Sequence, residues 1–121
     1  MLSADLEKIY GLIPHRPPFL WVDRIVESGD GVIRAEKIIP PDLELFRGHY
    51  PGHPVVPGVL LCEAVFQAGA LMIANQLAKD GEKIAGLPVL TRITGARFKR
   101  EVRPGDTIGI EARLREQVGD A

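Results

Sequence analysis

Apolar residues along this chain change their spacing several times, and each change marks an element. Leu6, Ile9 and Tyr10 are spaced as one face of a short helix, with Ser3 placed to cap it, Asp5 and Glu7 adding negative charge to the early turns, and Gly11 expected to stop it. In "PHRPPFL", Pro14, Pro17 and Pro18 exclude regular structure and bias each preceding residue toward extended backbone. The runs "FLWVDRIVES" and "GVIRAEKIIP" are rich in aromatic and β-branched residues and flank Gly29-Asp30-Gly31, which predicts two antiparallel strands joined by a turn.

Between Pro40 and Pro57 the chain holds prolines at 40, 41, 51, 54 and 57, together with two glycines: too many breakers for an element, enough to hold a loop in one shape. Pro57-Gly58 then opens "VLLCEAVFQAGALMIANQLAK", long and nearly free of breakers, which predicts a helix of several turns ended by "DGEK". Its apolar residues fall on all sides, so it is expected to be surrounded by protein, and a curved sheet is the economical wrapper. Strands are expected again in "LPVLTRITGARFKREV" and "TIGIEARLREQV", either side of the turn "RPGD". The pattern predicts one α+β domain over residues 1–121, with no internal repeat or linker.

Composition narrows the function classes. Hydrophobic residues make up 45% and charged residues 26%, a globular balance away from the signature of disorder. Fifteen Lys and Arg (15) against 16 Asp and Glu give a net charge of -1, which supplies no global pull toward nucleic acid or an anionic membrane. The single cysteine, Cys62, has no intramolecular disulfide partner, which points to a reducing compartment, the cytoplasm. The N-terminus lacks a basic region followed by a continuous apolar run, so no secretory signal is expected. The stretch from Gly58 to Leu77 is about long enough to span a bilayer, but Glu63, Gln67, Asn75 and Gln76 would each need a partner in hydrocarbon, so we read a buried helix of a soluble protein without membrane insertion.

Glu63 is the lone carboxylate in that helix, and Gln67, one turn later on the same face, is spaced to hydrogen-bond and orient it. A carboxyl group in apolar surroundings holds its proton because the charged form loses hydration, which suits a general acid. The same residue at a sheet edge would simply meet solvent or an arginine, and the residues alone leave both readings open. His49, in the Pro-rich loop, is a candidate general base, though a lone loop histidine is often only exposed. His15 and His53 are weaker candidates, and three scattered histidines with one cysteine lack metal-ligand spacing, so no metal is expected. Gly58 puts no side chain over the first backbone N–H groups of the helix, which can hold an oxygen gaining negative charge, or can merely belong to a turn. Acid, base and oxyanion donors together fit proton abstraction next to a carbonyl.

The segments "LIPHRPPFLWVDRI", "FRGHYPGHPVVPGVLLCEAVFQAG" and "ARFKREVRPGD", in this order and spacing, resemble the hot-dog-fold (3R)-hydroxyacyl-acyl-carrier-protein dehydratases of fatty acid synthesis, of the FabZ type. The resemblance runs from about Leu6 to Arg115. It implies a long central helix wrapped by a curved antiparallel sheet, His49 as catalytic histidine and Glu63 as catalytic acid, where the isomerising FabA-type enzymes carry aspartate. It implies a homodimer whose two active sites each take the histidine from one protomer and the acid from the other, some members assembling further as trimers of dimers. It implies elimination of water from a β-hydroxyacyl thioester on acyl carrier protein, without a free cofactor. Val56, Phe66 and Phe98 are the expected tunnel lining, and Arg97, Lys99 and Arg100, in a locally basic run, the expected docking site for the acidic carrier protein. Strand alternation prevents all of that run from pointing one way, and a solvated strand face is its plain alternative. The family continues into a further strand beyond the position of Ala121, and "LPVLTRITGA" departs from its usual run, which leaves chain-length preference open. A hot-dog thioesterase using the same pocket, and a binding module that has lost turnover, are the alternatives to dehydration.

Overall fold

The computed structural model describes residues 3–49, 52–79 and 100–115. Helix α1, Ala4–Leu12, is capped by Ser3, whose hydroxyl accepts from the Leu6 N–H at 3.2 Å. It runs past Gly11, which was expected to end it, and stops where Ile13 turns extended before Pro14. The residue before a proline disfavours helical backbone, and that outweighs one glycine near a helix end. Ile9 is the buried residue of α1.

Strands β1, Arg24–Gly29, and β2, Val32–Ile38, form the expected antiparallel hairpin. Its turn is Asp30-Gly31, with φ of 52° and 74°, the left-handed pair that matches the twist of two neighbouring strands. Strand β3, Thr107–Arg113, lies antiparallel beside β2, giving the order β1-β2-β3 among the described residues. Arg24 faces Glu36 and Glu27 faces Arg34 across the first pair, and both make ion pairs, at 2.8 and 3.2 Å, on exposed side chains. Ile33, Ala35 and Ile110 are buried, and helix α2, Gly58–Lys79, packs against all three strands. Strand alternation therefore puts charge on one face of the sheet and the core on the other. Each fully buried Ile or Leu in that layer, such as Ile33 and Leu71, contributes about 1.5–3 kcal/mol through removal from water.

Four expectations change in detail. The strand predicted from Phe19 begins only at Arg24, because the Phe19 carbonyl and the Trp21 N–H bond a helix side chain instead of a neighbouring strand. The Pro-rich loop contains a short 3-10 turn, Glu44–Arg47, on the few residues there without proline. The last strand ends at Arg113, with Leu114 and Arg115 beyond it. Among the described residues, helix α2 has one covered side and one exposed side: Ala64, Ala68 and Leu71 are buried, whereas Val59 is 74% exposed and Val65 and Ile73 are about half exposed. Residues 87–99 of the strand run "LPVLTRITGARFKREV" and the helix-ending "DGEK" lie outside the described residues.

Candidate active site

Glu63 sits in the first half of α2, its side chain 18% exposed. One turn on, Gln67 is wholly buried, and both donors of its amide and its carbonyl oxygen are engaged. Oε1 accepts from the Trp21 N–H at 2.7 Å, and Nε2 donates to the Phe19 carbonyl and to Glu63 Oε2, both at 2.9 Å. A backbone N–H can only donate and a carbonyl can only accept, so the amide has one allowed orientation and must present an N–H to Glu63. Glu63 Oε2 is thereby an acceptor, and a proton carried by the carboxyl group belongs on Oε1.

His15 joins this group from the segment after α1. Its Nε2 lies 3.7 Å from Glu63 Oε2, and its ring stacks on Phe19 and meets Phe66 edge-on, with centroids 6.5 and 6.2 Å apart. His15 ranked among the weaker histidines in the sequence, since no local period links it to α2. Its place inside "LIPHRPPFLWVDRI", one of the three distinctive segments, was the available signal.

His49 follows the 3-10 turn, with its N–H on the Leu45 carbonyl at 3.2 Å. Its ring Nδ1 is 2.9 Å from the Val55 carbonyl. A carbonyl can only accept, so Nδ1 carries the proton and the basic lone pair is on Nε2, the tautomer required of a general base. The loop is tied down in turn by the Val56 N–H donating to the Val102 carbonyl at 2.7 Å. Within one chain, then, Glu63 meets Gln67 and His15, and His49 meets Val55.

Gly58 is the first residue of α2, and its amide and that of Val59 have no acceptor inside the helix. The Leu60 N–H turns back to the Pro57 carbonyl at 3.0 Å, and no acidic residue stands in the first turn, which suits the positive end of the helix to an oxygen acquiring charge. Of the expected tunnel residues, Val56 is buried in the core and Phe66 is half-buried beside His15, while Phe98 lies outside the described residues. Arg100 is exposed, and Arg97 and Lys99 lie outside the described residues. His53 is on the surface, 3.1 Å from Glu101, which also accepts from Arg103. These hydrogen bonds, Arg103's first and then His53's, hold the Glu101 carboxyl below the ordinary carboxylate range. Among the described residues no group of three or more His, Cys, Asp or Glu side chains is placed to hold a metal ion.

Comparison with known proteins identifies the family. The FabA-like domain family matches residues 13–120. The chain is 47% identical over 115 residues to the 3-hydroxyacyl-[acyl-carrier-protein] dehydratase FabZ of Chloroflexus aggregans, covering 94% of this chain and 76% of that protein. It is 43% identical over 110 residues to the FabZ of Thermus thermophilus, covering 91% and 75%. Among solved structures, the dehydratase heterocomplex ApeI:P from Xenorhabdus doucetiae has a similar fold, with a TM-score of 0.67 at 20% identity over 91% of this chain and 72% of that one. With its long helix laid on an antiparallel sheet, and with relatives this close over most of its length, the chain belongs to the FabA-like, hot-dog-fold family as a 3-hydroxyacyl-[acyl-carrier-protein] dehydratase of the FabZ type.

Proposed function

We propose that this chain removes water from (3R)-3-hydroxyacyl thioesters of acyl carrier protein to give trans-2-enoyl thioesters in fatty acid synthesis. The observation that carries the reading is Glu63, alone among apolar residues of α2 and aimed by a buried Gln67. His49 Nε2 takes the proton from the carbon next to the thioester carbonyl. The amides at the start of α2, near Gly58, hold the carbonyl oxygen as it becomes enolate-like. As the Cα electrons form the new double bond, the Cβ–O bond breaks and Glu63 gives its proton to the departing hydroxyl, which leaves as water. His49 is left protonated and Glu63 ionised, and proton exchange with solvent restores both.

The site is shared between two protomers, with His49 from one and Glu63 from the other. The exposed apolar face of α2, with Val59, Val65 and Ile73, is the surface such a homodimer would cover. Val56, Phe66 and Phe98 line the acyl tunnel, and Arg97, Lys99 and Arg100 receive the acidic carrier protein. The helix from Gly58 to Ala78 has the length and hydropathy of a membrane span, but its packing on the sheet suits the core of a soluble, cytoplasmic enzyme.

The test follows enoyl formation from a short (3R)-3-hydroxyacyl thioester of acyl carrier protein in wild type and Glu63→Gln. The near-isosteric amide keeps the fold and is expected to lower turnover by about 10²–10⁴-fold, the contribution of a positioned acid. Undiminished turnover in the variant refutes the acid. Release of free acid and thiol from the wild type would reassign the protein as a thioesterase, and saturable binding without turnover as a binding module.

A further inference from the structure

We propose that His15 is a positioning residue for this reaction: its neutral imidazole, with the proton on Nε2, faces Glu63 Oε2 and steadies the carboxylate that forms when Glu63 gives up its proton. The inference rests on Glu63 being the acid, as proposed above.

The backbone around His15 is held from several directions. The Arg16 guanidinium lies 4.1 Å over the Tyr10 ring and donates to the carbonyls of Tyr10, Ile13 and His15 itself, at 3.0, 2.8 and 2.8 Å. The flanking rings of Phe19 and Phe66 leave the imidazole little room to turn, and its side chain is only 15% exposed. One nitrogen therefore points at Glu63, while the other, Nδ1, is buried and has no hydrogen-bond partner among the described residues.

That asymmetry assigns the proton. A bare ring nitrogen facing a carboxyl oxygen would set lone pair against lone pair, whereas an N–H facing it is attractive. An imidazolium would bury a positive charge with an unpaired Nδ1–H, which costs far more than an unpaired neutral nitrogen. The neutral Nε2–H form satisfies both conditions. The distance of 3.7 Å is longer than a hydrogen bond, and a small displacement closes it as charge develops on the carboxylate. Gln67 already donates to the same oxygen, so Oε2 collects two N–H groups and Oε1 keeps the proton for the substrate hydroxyl. When that proton leaves, the O–H electron pair stays on the carboxylate, and the nearby donors are already in place.

Glu63 is faced by His15 from the segment after α1 and by the neutral Gln67 from its own helix. Among the described residues, Arg16 is engaged on the carbonyls above, and Lys37 on the Leu20 carbonyl and the Asp23 carboxylate, both at 3.4 Å.

The experiment compares His15→Phe, which keeps a ring between Phe19 and Phe66 without an N–H, with His15→Gln, which restores an N–H at similar reach. Both are assayed with the short (3R)-3-hydroxyacyl thioester of acyl carrier protein, after thermal melts. His15→Phe is expected to lose about tenfold in kcat with KM within about twofold of wild type. The alkaline limb of its kcat–pH profile should rise by about one pH unit, since the carboxylate has lost a donor. His15→Gln should recover most of both. Wild-type kcat with an unmoved limb in His15→Phe overturns the proposal, as does equal loss in the two variants. Ring ¹⁵N shifts of the unmodified protein give a check that needs no variant: an Nδ1–H tautomer or an imidazolium at neutral pH overturns it. Glu63→Gln, run alongside, keeps the two readings apart. Full turnover there refutes the acid itself, whereas loss there with an unaffected His15→Phe refutes only the role of His15.

Discussion

The Trp21 N–H donates to Gln67 Oε1 at 2.7 Å, and this bond decides which end of the Gln67 amide faces Glu63. Replacing Gln67 by Leu removes the acceptor for Trp21 and the donor for Phe19 at once. The buried Trp21 N–H and the part-buried Phe19 carbonyl then lose their partners, and the cost expected is about 2–4 kcal/mol. Urea unfolding of Gln67→Leu measures it. Loss well below that range would mean that water or a shifted chain replaces both bonds.

The proposal that each site takes residues from two protomers makes a prediction about mixtures. Dimers of one His49→Ala and one Glu63→Gln protomer contain one site with both defects and one with none. Each variant alone is expected to be inactive, and random exchange between them should restore roughly a quarter of wild-type turnover, because half of the dimers are mixed and half of their sites are intact. Mixed dimers, demonstrated by mass spectrometry and without activity, would refute a site built from two chains.

At the hairpin, Gly31 has a φ of 74°, in the left-handed region. A Cβ there would find ordinary contact, 3.8 Å from Leu114 Cβ, so the cost of Gly31→Ala is one of backbone conformation and not of space. The variant should lose about 1–2 kcal/mol in thermal or urea unfolding with turnover nearly unchanged.

The Glu101 cluster predicts a dependence on pH. Its carboxyl is held below the ordinary range by hydrogen bonds from Arg103 and His53, so the folded protein favours the ionised form more than the unfolded chain does. The stabilisation is therefore present above the ordinary carboxylate pKa and is lost as pH falls through the lowered value. Thermal melts of wild type and Glu101→Gln should differ slightly near neutrality and converge in acid. The group is exposed, so added salt should shrink the difference. A gap that persists at the most acid pH would mean that Glu101 acts through something other than its charge.

The parts of this protein legible in its sequence are those governed by neighbours within a few residues. Ser3 as a cap, Asp30-Gly31 as a tight turn, Gly58 as the opening of a long helix, and Glu63 with Gln67 on one helical face all follow from local geometry of period two or 3.6. The three distinctive segments identified the family. Tertiary structure decided what local spacing does not carry. It bent the Phe19–Trp21 segment onto Gln67, which delayed the start of β1 and fixed the N–H that Gln67 presents to the Glu63 carboxyl group. It set β3 beside β2, put the Val55 carbonyl against His49 Nδ1, and brought His15 to Glu63 from the far side of the hairpin in sequence. The physical reason is that a buried donor or acceptor must find a partner wherever the packed core supplies one, and the partner's distance along the chain plays no part in that requirement.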